Sequence, residues 1–313
     1  MIYRADFTVN NLKGRLISPV IFGNIAKIYF DIFSKDKANE EIQRLINSNT
    51  LISDMILKEN LPFKISMVKE EKKALILGED FHGKSQKEII NIKSKDRNDF
   101  TQNLFQKRDE FRLYKKAVKK VELESGIPSP RLRNSISRIN GTTIDNALFL
   151  HNEFKYHSKN IFSIYVSTND RYVIDLIELT FKIIEKVGIG TDTTIGNGIM
   201  KFKRYNDSIF IKANDVEMFK NSNKETQCFN IASTIITDDI LRESKFKDYN
   251  VKRYDSRTPE KIKSCYYYIE CGSTVNSLVE CKPYIISNPH EEIKTYTCIF
   301  PVKFKEGDYD EKN

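Results

Sequence analysis

The chain has 313 residues, with 51 lysines and arginines against 43 acidic residues and a net charge of +8. Its 40% hydrophobic content, with 20 Phe and 15 Tyr, is ample for a packed core, which excludes wholesale disorder, and the length predicts two domains at roughly 100–200 residues each. Five cysteines (Cys228, Cys265, Cys271, Cys281, Cys298) without a Cys-x-x-Cys pair fit neither a disulfide framework nor a zinc site, and no stretch approaches a membrane span or a signal peptide. The expectation is a cytoplasmic protein with no membrane segment, no metal and no cofactor.

From the N-terminus, Tyr3 to Val9 alternates apolar and polar side chains, which predicts a half-buried strand. After Ser18-Pro19, Ile21, Phe22, Ile25, Ile28, Tyr29 and Ile32 recur at three-to-four spacing and predict a helix. A second helix is expected over about residues 38–58, with Ile42, Leu45, Ile46, Leu51, Ile52, Met55 and Ile56 as its buried stripe. Leu61 to Val68 reads as a strand, and residues 82–125 as a polar, basic insertion standing off the main body. Ala147–Tyr156 and Asn160–Ser167 are strand-like, Arg171–Val187 is a strong helix, and Ile199–Tyr205 and Ser208–Ala213 return to strand character. Further strands are expected at Gln227–Ile236, Ser264–Glu270 and Thr295–Phe304. The fold class is therefore α+β. A β-α-β-β-α-β, ferredoxin-like (RRM-like) unit covers residues 1–213, with a basic insertion at about 80–130, and a degraded second copy covers 214–313.

Glycine is scarce, 12 in all or about half the usual 7% share, yet Gly188, Gly190, Gly196 and Gly198 fall within eleven residues. Glycine admits positive φ and lets a backbone approach a ligand, and successive N–H groups in such a loop form an anion-binding concavity. A Rossmann fingerprint fails because Thr193 stands where its third glycine belongs, and a P-loop fails because no Gly-Lys-Ser/Thr follows. Both also require strand-then-helix order, the reverse of the order here. Two readings stay open: a tight turn in which the glycines serve geometry alone, or an anion-binding loop in which the Thr193 and Thr194 hydroxyls take part.

The charge surplus is local. Residues 81–138 hold 15 basic and 7 acidic residues, and the rest of the chain is balanced. That segment ends in Arg131, Arg133 and Arg138 among Asn134, Ser135, Ser137 and Thr142, with no acidic residue between Ser125 and Ile144. All these side chains can donate to phosphate or sugar oxygens, and arginine also stacks on bases. Upstream, Lys115, Lys116, Lys119 and Lys120 are interleaved with Phe111, Leu113 and Tyr114, the combination of charge and aromatic faces that single-stranded nucleic acid uses. The plain alternative is a solvated basic face.

These motifs together resemble the RAMP superfamily of CRISPR effector subunits, and within it the 5′-handle-binding subunits of type III-A (Csm) interference complexes. Ser18-Pro-Val-Ile-Phe22-Gly23 is similar to a Ser-Asp-x-x-Phe-Gly element, and Arg133-Asn-Ser-Ile-Ser-Arg138-Ile-Asn-Gly141 to an Arg-Asn-x-Ile-Asp-Arg-x-x-Gly run. The segment Gly188–Gly198 is similar to a Gly-x-Gly-x-Asp-x-Ser-x-Gly-x-Gly loop, and Cys271-Gly-Ser273 and Tyr296–Val302 to two C-terminal elements. Pro19 departs from the usual Asp, Thr193 from an Arg and Cys298 from a Gly. The resemblance implies two ferredoxin-like RAMP domains forming a non-catalytic scaffold that clasps the repeat-derived 5′ handle of the guide RNA (crRNA). It also implies docking to the large polymerase-like subunit and to a backbone RAMP subunit, with the basic insertion as a thumb-like extension. The RNA-binding residues expected are Phe22, Gly23, Asn24, Lys115, Lys116, Lys119, Arg131, Arg133, Asn134, Ser135, Arg138, Gly188, Gly190, Thr193, Thr194, Gly196 and Gly198.

Some RAMP relatives are endoribonucleases that process the guide precursor with a histidine. Here His82, His151, His157 and His290 have no second catalytic group nearby in sequence, and Glu70-Glu71 and Glu291-Glu292 read as solvated faces. No catalytic residue is expected. The alternatives are a RAMP-type endoribonuclease and a protein-interaction module whose basic patch meets an acidic partner.

Overall fold

In chain order, β1 (Ile2–Val9) and β2 (Asn11–Leu12) precede α1 (Ser18–Ile32), α2 (Lys35–Asn47), β3 (Leu51–Ile52) and β4 (Ile56–Leu57). Then come β5 (Ile127–Ile136), β6 (Thr143–Lys155), β7 (Phe162–Ser167), α3 (Arg171–Val187), β8 (Met200–Phe202) and β9 (Phe210–Lys212). The remainder holds β10 (Val216–Met218), β11 (Gln227–Asn230), β12 (Thr234–Ile235), α4 (Asp238–Glu243), β13 (Phe246–Lys247), β14 (Val251–Arg257), β15 (Ile262–Ile269), β16 (Thr274–Asn276), β17 (Pro283–Ser287), β18 (Lys294–Cys298) and β19 (Pro301–Phe304). The structure, a computed structural model, describes residues 1–58, 127–136, 143–190, 193, 196–214, 216–218, 227–243, 246–247, 249–257, 262–276, 281–287 and 294–304. The expected strand Leu61–Val68 and the basic insertion lie outside the described residues.

The α+β class holds. β1 is the central strand of the first sheet, antiparallel to β7 on one side and to β8 and β9 on the other. Its odd-numbered side chains meet the helices. Phe7 lies 6.0 Å from Phe162 and 5.4 Å from Phe202, and Phe181 of α3 stacks on Phe202 at 5.0 Å. Helix α3 follows its expectation because its ends carry the right signals: Asp170 accepts a hydrogen bond from the Tyr172 N–H at 3.0 Å, and Gly188 closes the last turn at φ +81°.

Both edges of this sheet are single strands interrupted once. β8 and β9 line the same side of β1, separated by an excursion whose tight turn places Asn206 and Asp207 at positive φ, as a two-residue turn demands. β3 and β4 likewise both pair with β7, separated by Ser53–Met55. This corrects the expected second helix. Helix α2 stops at Asn47, Asn49 takes φ +49°, and Leu51, Ile52 and Ile56 enter the sheet. Their apolar spacing suits a buried strand as well as a helix, and the Asn-Ser-Asn run supplies the break.

Even-numbered β1 residues carry a polar network. Asp6 is fully buried, and its carboxylate accepts from Ser163 Oγ at 2.6 Å and Tyr205 Oη, and pairs with Lys58 at 2.7 Å and Arg4 at 3.1 Å. Burial pushes its pKa up, but Lys58, Ser163, Tyr205 and Arg4 outweigh that and hold it below the usual carboxylate range.

The C-terminal part contributes a sheet ordered β10-β19-β11-β16-β13, a three-stranded sheet β12-β15-β14 and the hairpin β17-β18. One hydrophobic cluster joins it to the first sheet: Ile231, Ala232, Tyr296, Phe300 and Val302 pack with α1 and β3 residues, and Tyr296 stacks on Phe22 at 4.1 Å. The junction is closed by Asp54, in the interruption between β3 and β4. Its buried carboxylate accepts from Ser18 N at 2.8 Å, Ser233 N at 2.7 Å and Ser233 Oγ at 2.6 Å, while its own N–H donates to Ile231 O at 2.9 Å. Helix α1 has no side-chain cap of its own, so this distant carboxylate takes that role.

Replacing Asp54 by Ala strands two buried N–H donors and lowers unfolding free energy by roughly 3 kcal/mol or more, whereas Asp54→Asn, which keeps one acceptor oxygen, costs about 1 kcal/mol; urea midpoints check the ordering. Because the pKa of Asp6 is lowered on folding, its contribution is complete above the unfolded carboxylate range near pH ~4 and is lost as pH falls below it. The wild-type urea midpoint therefore drops on acidification, and Asp6→Asn starts lower at neutral pH and drops less.

Candidate nucleic-acid interface

The glycine loop follows from the end of α3. Gly188 N donates to Ile184 O at 2.7 Å, Ile189 N to Gly198 O at 2.9 Å, and Gly196 N to Thr193 O at 3.0 Å. The four glycines have φ between +74° and +86°, and they divide into two pairs. Gly188 and Gly198 are buried at the base, where a Cβ on Gly198 would lie 1.9 Å from the Ile189 carbonyl oxygen. Gly190 and Gly196 are exposed at the tip with open space around their Cα atoms. The base pair serves the turn, and the tip pair stands in open space. Beside the base, Asn197 is buried and its Nδ2 has no hydrogen-bond partner among the described residues.

Two further motifs reach this loop. Asn24 of α1 donates through Nδ2 to Val20 O at 2.7 Å, which aims its Oδ1 to accept from Gly190 N at 3.1 Å. Gly23, the neighbouring position, is exposed with nothing within 4 Å of a Cβ position. On the other side, Gly198 N donates to Asn11 O at 2.8 Å, and Asn11 in β2 pairs with Lys155 of β6.

The arginine segment lies on the same sheet. The backbone places Ile127–Ile136 as β5, paired with the thirteen-residue β6 in a long hairpin. Ile127 pairs with Lys155 at the base, Arg131 with His151, Arg133 with Phe149, Asn134 with Leu148, and the register shifts at Ser135. Two prolines, Pro128 and Pro130, hid this strand, since proline fits a strand only at an edge or near its start. Among the described residues β5 is an edge, the neighbour order being β2-β6-β5.

A continuous hydrogen-bonded path therefore runs from Asn24 through the glycine loop and β2 to the arginine hairpin. Among the expected residues, Gly188, Gly190, Thr193, Gly196 and Gly198 form the loop, Asn24 meets it from α1 with Gly23 beside it in the helix, and Arg131, Arg133, Asn134 and Ser135 stand on the hairpin. Phe22 does not reach the loop surface: it is buried against Tyr296, because its helical position faces the core. Lys115, Lys116, Lys119, Arg138 and Thr194 lie outside the described residues.

The structure adds residues that motif reading missed. Lys13, Arg15 and Lys155 are exposed beside β2 and the hairpin base, and Asn11 serves through its main chain, which carries no sequence signal. The Lys13-Gly-Arg15 tripeptide was the legible hint. His157, exposed in the turn after β6, accepts from Lys159 N at 3.2 Å. Among the described residues no group of three or more His, Cys, Asp or Glu is placed to hold a metal, and no helix is long and apolar enough to cross a membrane.

No protein-family model matches the sequence, and no curated protein does. Solved structures do. One chain of the Csm3–Csm4 subcomplex of the type III-A CRISPR-Cas interference complex superposes with a TM-score of 0.54 at 15% identity, covering 97% of this chain and 99% of that one. One chain of the Csm1–Csm4 cassette in complex with pppApA gives 0.51 at 11% identity, covering 98% and 100%. The protein has their fold. The component common to both assemblies is Csm4.

Gly198→Ala, with both a positive φ and a carbonyl in the way, costs about 1–3 kcal/mol beyond the 1–2 kcal/mol that Gly190→Ala, with open space, costs for its φ alone. Thermal melts of the two variants check the order.

Proposed function

We propose that this chain is a non-catalytic, guide-RNA-binding assembly subunit of a cytoplasmic type III-A CRISPR effector complex, holding the repeat-derived 5′ handle of the crRNA. The observation that carries this reading is the path described above, in which three motifs far apart in sequence are linked: Gly190 N to Asn24 Oδ1, Gly198 N to Asn11 O, and β2 to the arginine hairpin. Open space at Gly190 and Gly196 lets an RNA backbone come close to the loop tip, the arginines suit its phosphates, and the basic insertion at about 80–130 acts as a thumb across the strand.

In this reading residues 1–213 are a ferredoxin-like RAMP domain. Its strand order, with β1 between β7 and the β8–β9 edge and β3–β4 outermost, is that of a β-α-β-β-α-β unit. Residues 214–313 are a reduced second copy. In the similar structures Csm4 stands with Csm3 and with Csm1, and by that analogy this chain presents one surface to a backbone RAMP subunit and another to the large polymerase-like subunit.

The test is a filter-binding titration with crRNA. Arg133→Ala weakens binding about tenfold with an unchanged melting temperature, wild-type affinity falls steeply with salt, and RNA incubated with the protein and metal stays intact. Unchanged affinity in Arg133→Ala removes the hairpin from the site. Site-defined cleavage lost on a His→Ala change replaces the scaffold by the endoribonuclease.

A further inference from the structure

Residues 247–268 hold five of the chain's fifteen tyrosines and six lysines and arginines against three acids, a pattern that neither the glycine loop nor the arginine hairpin absorbs. Strands β14 and β15 pair as a ribbon within this stretch. Across the ribbon Lys252 is in register with Tyr268, Arg253 with Tyr267, and Tyr254 with Tyr266, so at two successive positions a cation stands opposite a tyrosine. Among the described residues β14 is an edge strand, and charged residues on an edge ordinarily guard against unwanted pairing. That accounts for Lys252 and Arg253. It leaves unexplained why Tyr267 is 57% exposed, with Val251 at 46% and Tyr249 at 45%, on the same ribbon as an exposed Arg253. Clustered exposed apolar and aromatic surface on a soluble-sized domain marks a contact site.

The ribbon is rooted beside the interface already described. Arg15 acts electrostatically on Tyr156, at the foot of the arginine hairpin, and on Tyr268 and Glu270, at the foot of the ribbon. Lys252 in turn pairs with Glu270 at 2.5 Å. Arg15 thus stands between the foot of the hairpin and the foot of the ribbon. Exposed tyrosine rings interleaved with cations offer what single-stranded RNA requires, a stacking face for a base and a donor for the phosphate beside it. Building on the reading of this chain as an RNA-binding subunit, we propose that the β14–β15 ribbon is a second single-stranded RNA contact, with Tyr267 stacking on a base and Arg253 on an adjacent phosphate.

The experiment is fluorescence anisotropy of a labelled single-stranded RNA of mixed sequence with the purified full chain. Tyr267 is exposed, so its variants keep the fold. Tyr267→Ala weakens binding about tenfold, Tyr267→Phe, which keeps the ring, binds as wild type, and Arg253→Ala lowers the salt slope by about one. Wild-type affinity in Tyr267→Ala overturns the inference while leaving the hairpin reading intact if Arg133→Ala still loses affinity. A Tyr267→Ala protein that binds RNA normally but no longer holds a partner subunit makes the ribbon a protein contact, which also overturns it. A wild-type chain that binds no RNA removes the reading on which the inference rests.

Discussion

Asp54 is the constraint on which the arrangement of this molecule turns. A carboxylate with no access to water is costly unless donors surround it, and here they come from two remote places: the start of α1 and the Ser233 turn of the C-terminal part. The interruption of the edge strand at Ser53–Met55 is what frees residue 54 to face both. Its N–H donates to Ile231 O while Met55 N donates to Leu16 O, so the gap in the sheet is filled by bonds leading outward. Burial pushes the Asp54 pKa up, against Arg15 and the serine donors. One residue thereby caps a helix, ends a sheet edge and ties the two halves of the chain.

That tie has consequences for the interface. Helix α1 presents Asn24 to the glycine loop only because its N-terminus is held by Asp54 and its inner face by Tyr296, whose hydroxyl donates to Thr50 O at 2.9 Å. Phe22 and Asn24 are two positions apart and divide the labour accordingly. Phe22 packs the helix to the C-terminal part, and Asn24 orients Gly190. A motif that reads as one unit in sequence thus faces two ways, Phe22 into the core and Asn24 toward the glycine loop. The glycine loop shows the same division, with Gly198 demanded by the Ile189 carbonyl and Gly190 left open.

The C-terminal part is anchored with similar economy. Asn230 is fully buried, and its side-chain amide donates to Ala232 O and Thr234 Oγ1 while its carbonyl accepts from Phe300 N and Ala232 N, so every part of the amide is used. Thr234 continues to Cys298 O. These bonds lock the turn after β11 against β18, the same strand that carries Tyr296, and so pass rigidity from the C-terminal sheets to α1. The β14–β15 ribbon extends from this rigid base and is free to carry exposed aromatics.

The sequence by itself determined the α+β class, the helices α1 and α3, the strand β1 and the glycine loop, because each is set by local terms: period, caps and the positive φ that only glycine takes without cost. It also located the arginine run, since charge is additive along a chain. What only the tertiary structure decided is whatever depends on pairing. Leu51 to Ile56 were read as helix because apolar spacing alone does not tell a buried strand from a helix face, and β7 made the choice. The prolines of β5 concealed a strand that β6 stabilises from one side. Asn11 meets the glycine loop by its carbonyl, Asn197 is buried beside it and Phe22 packs against Tyr296 instead, and none of these is written in residue type. Local chemistry named the motifs; long-range hydrogen bonds, through Asn24, Asn11 and Asp54, brought them to one place.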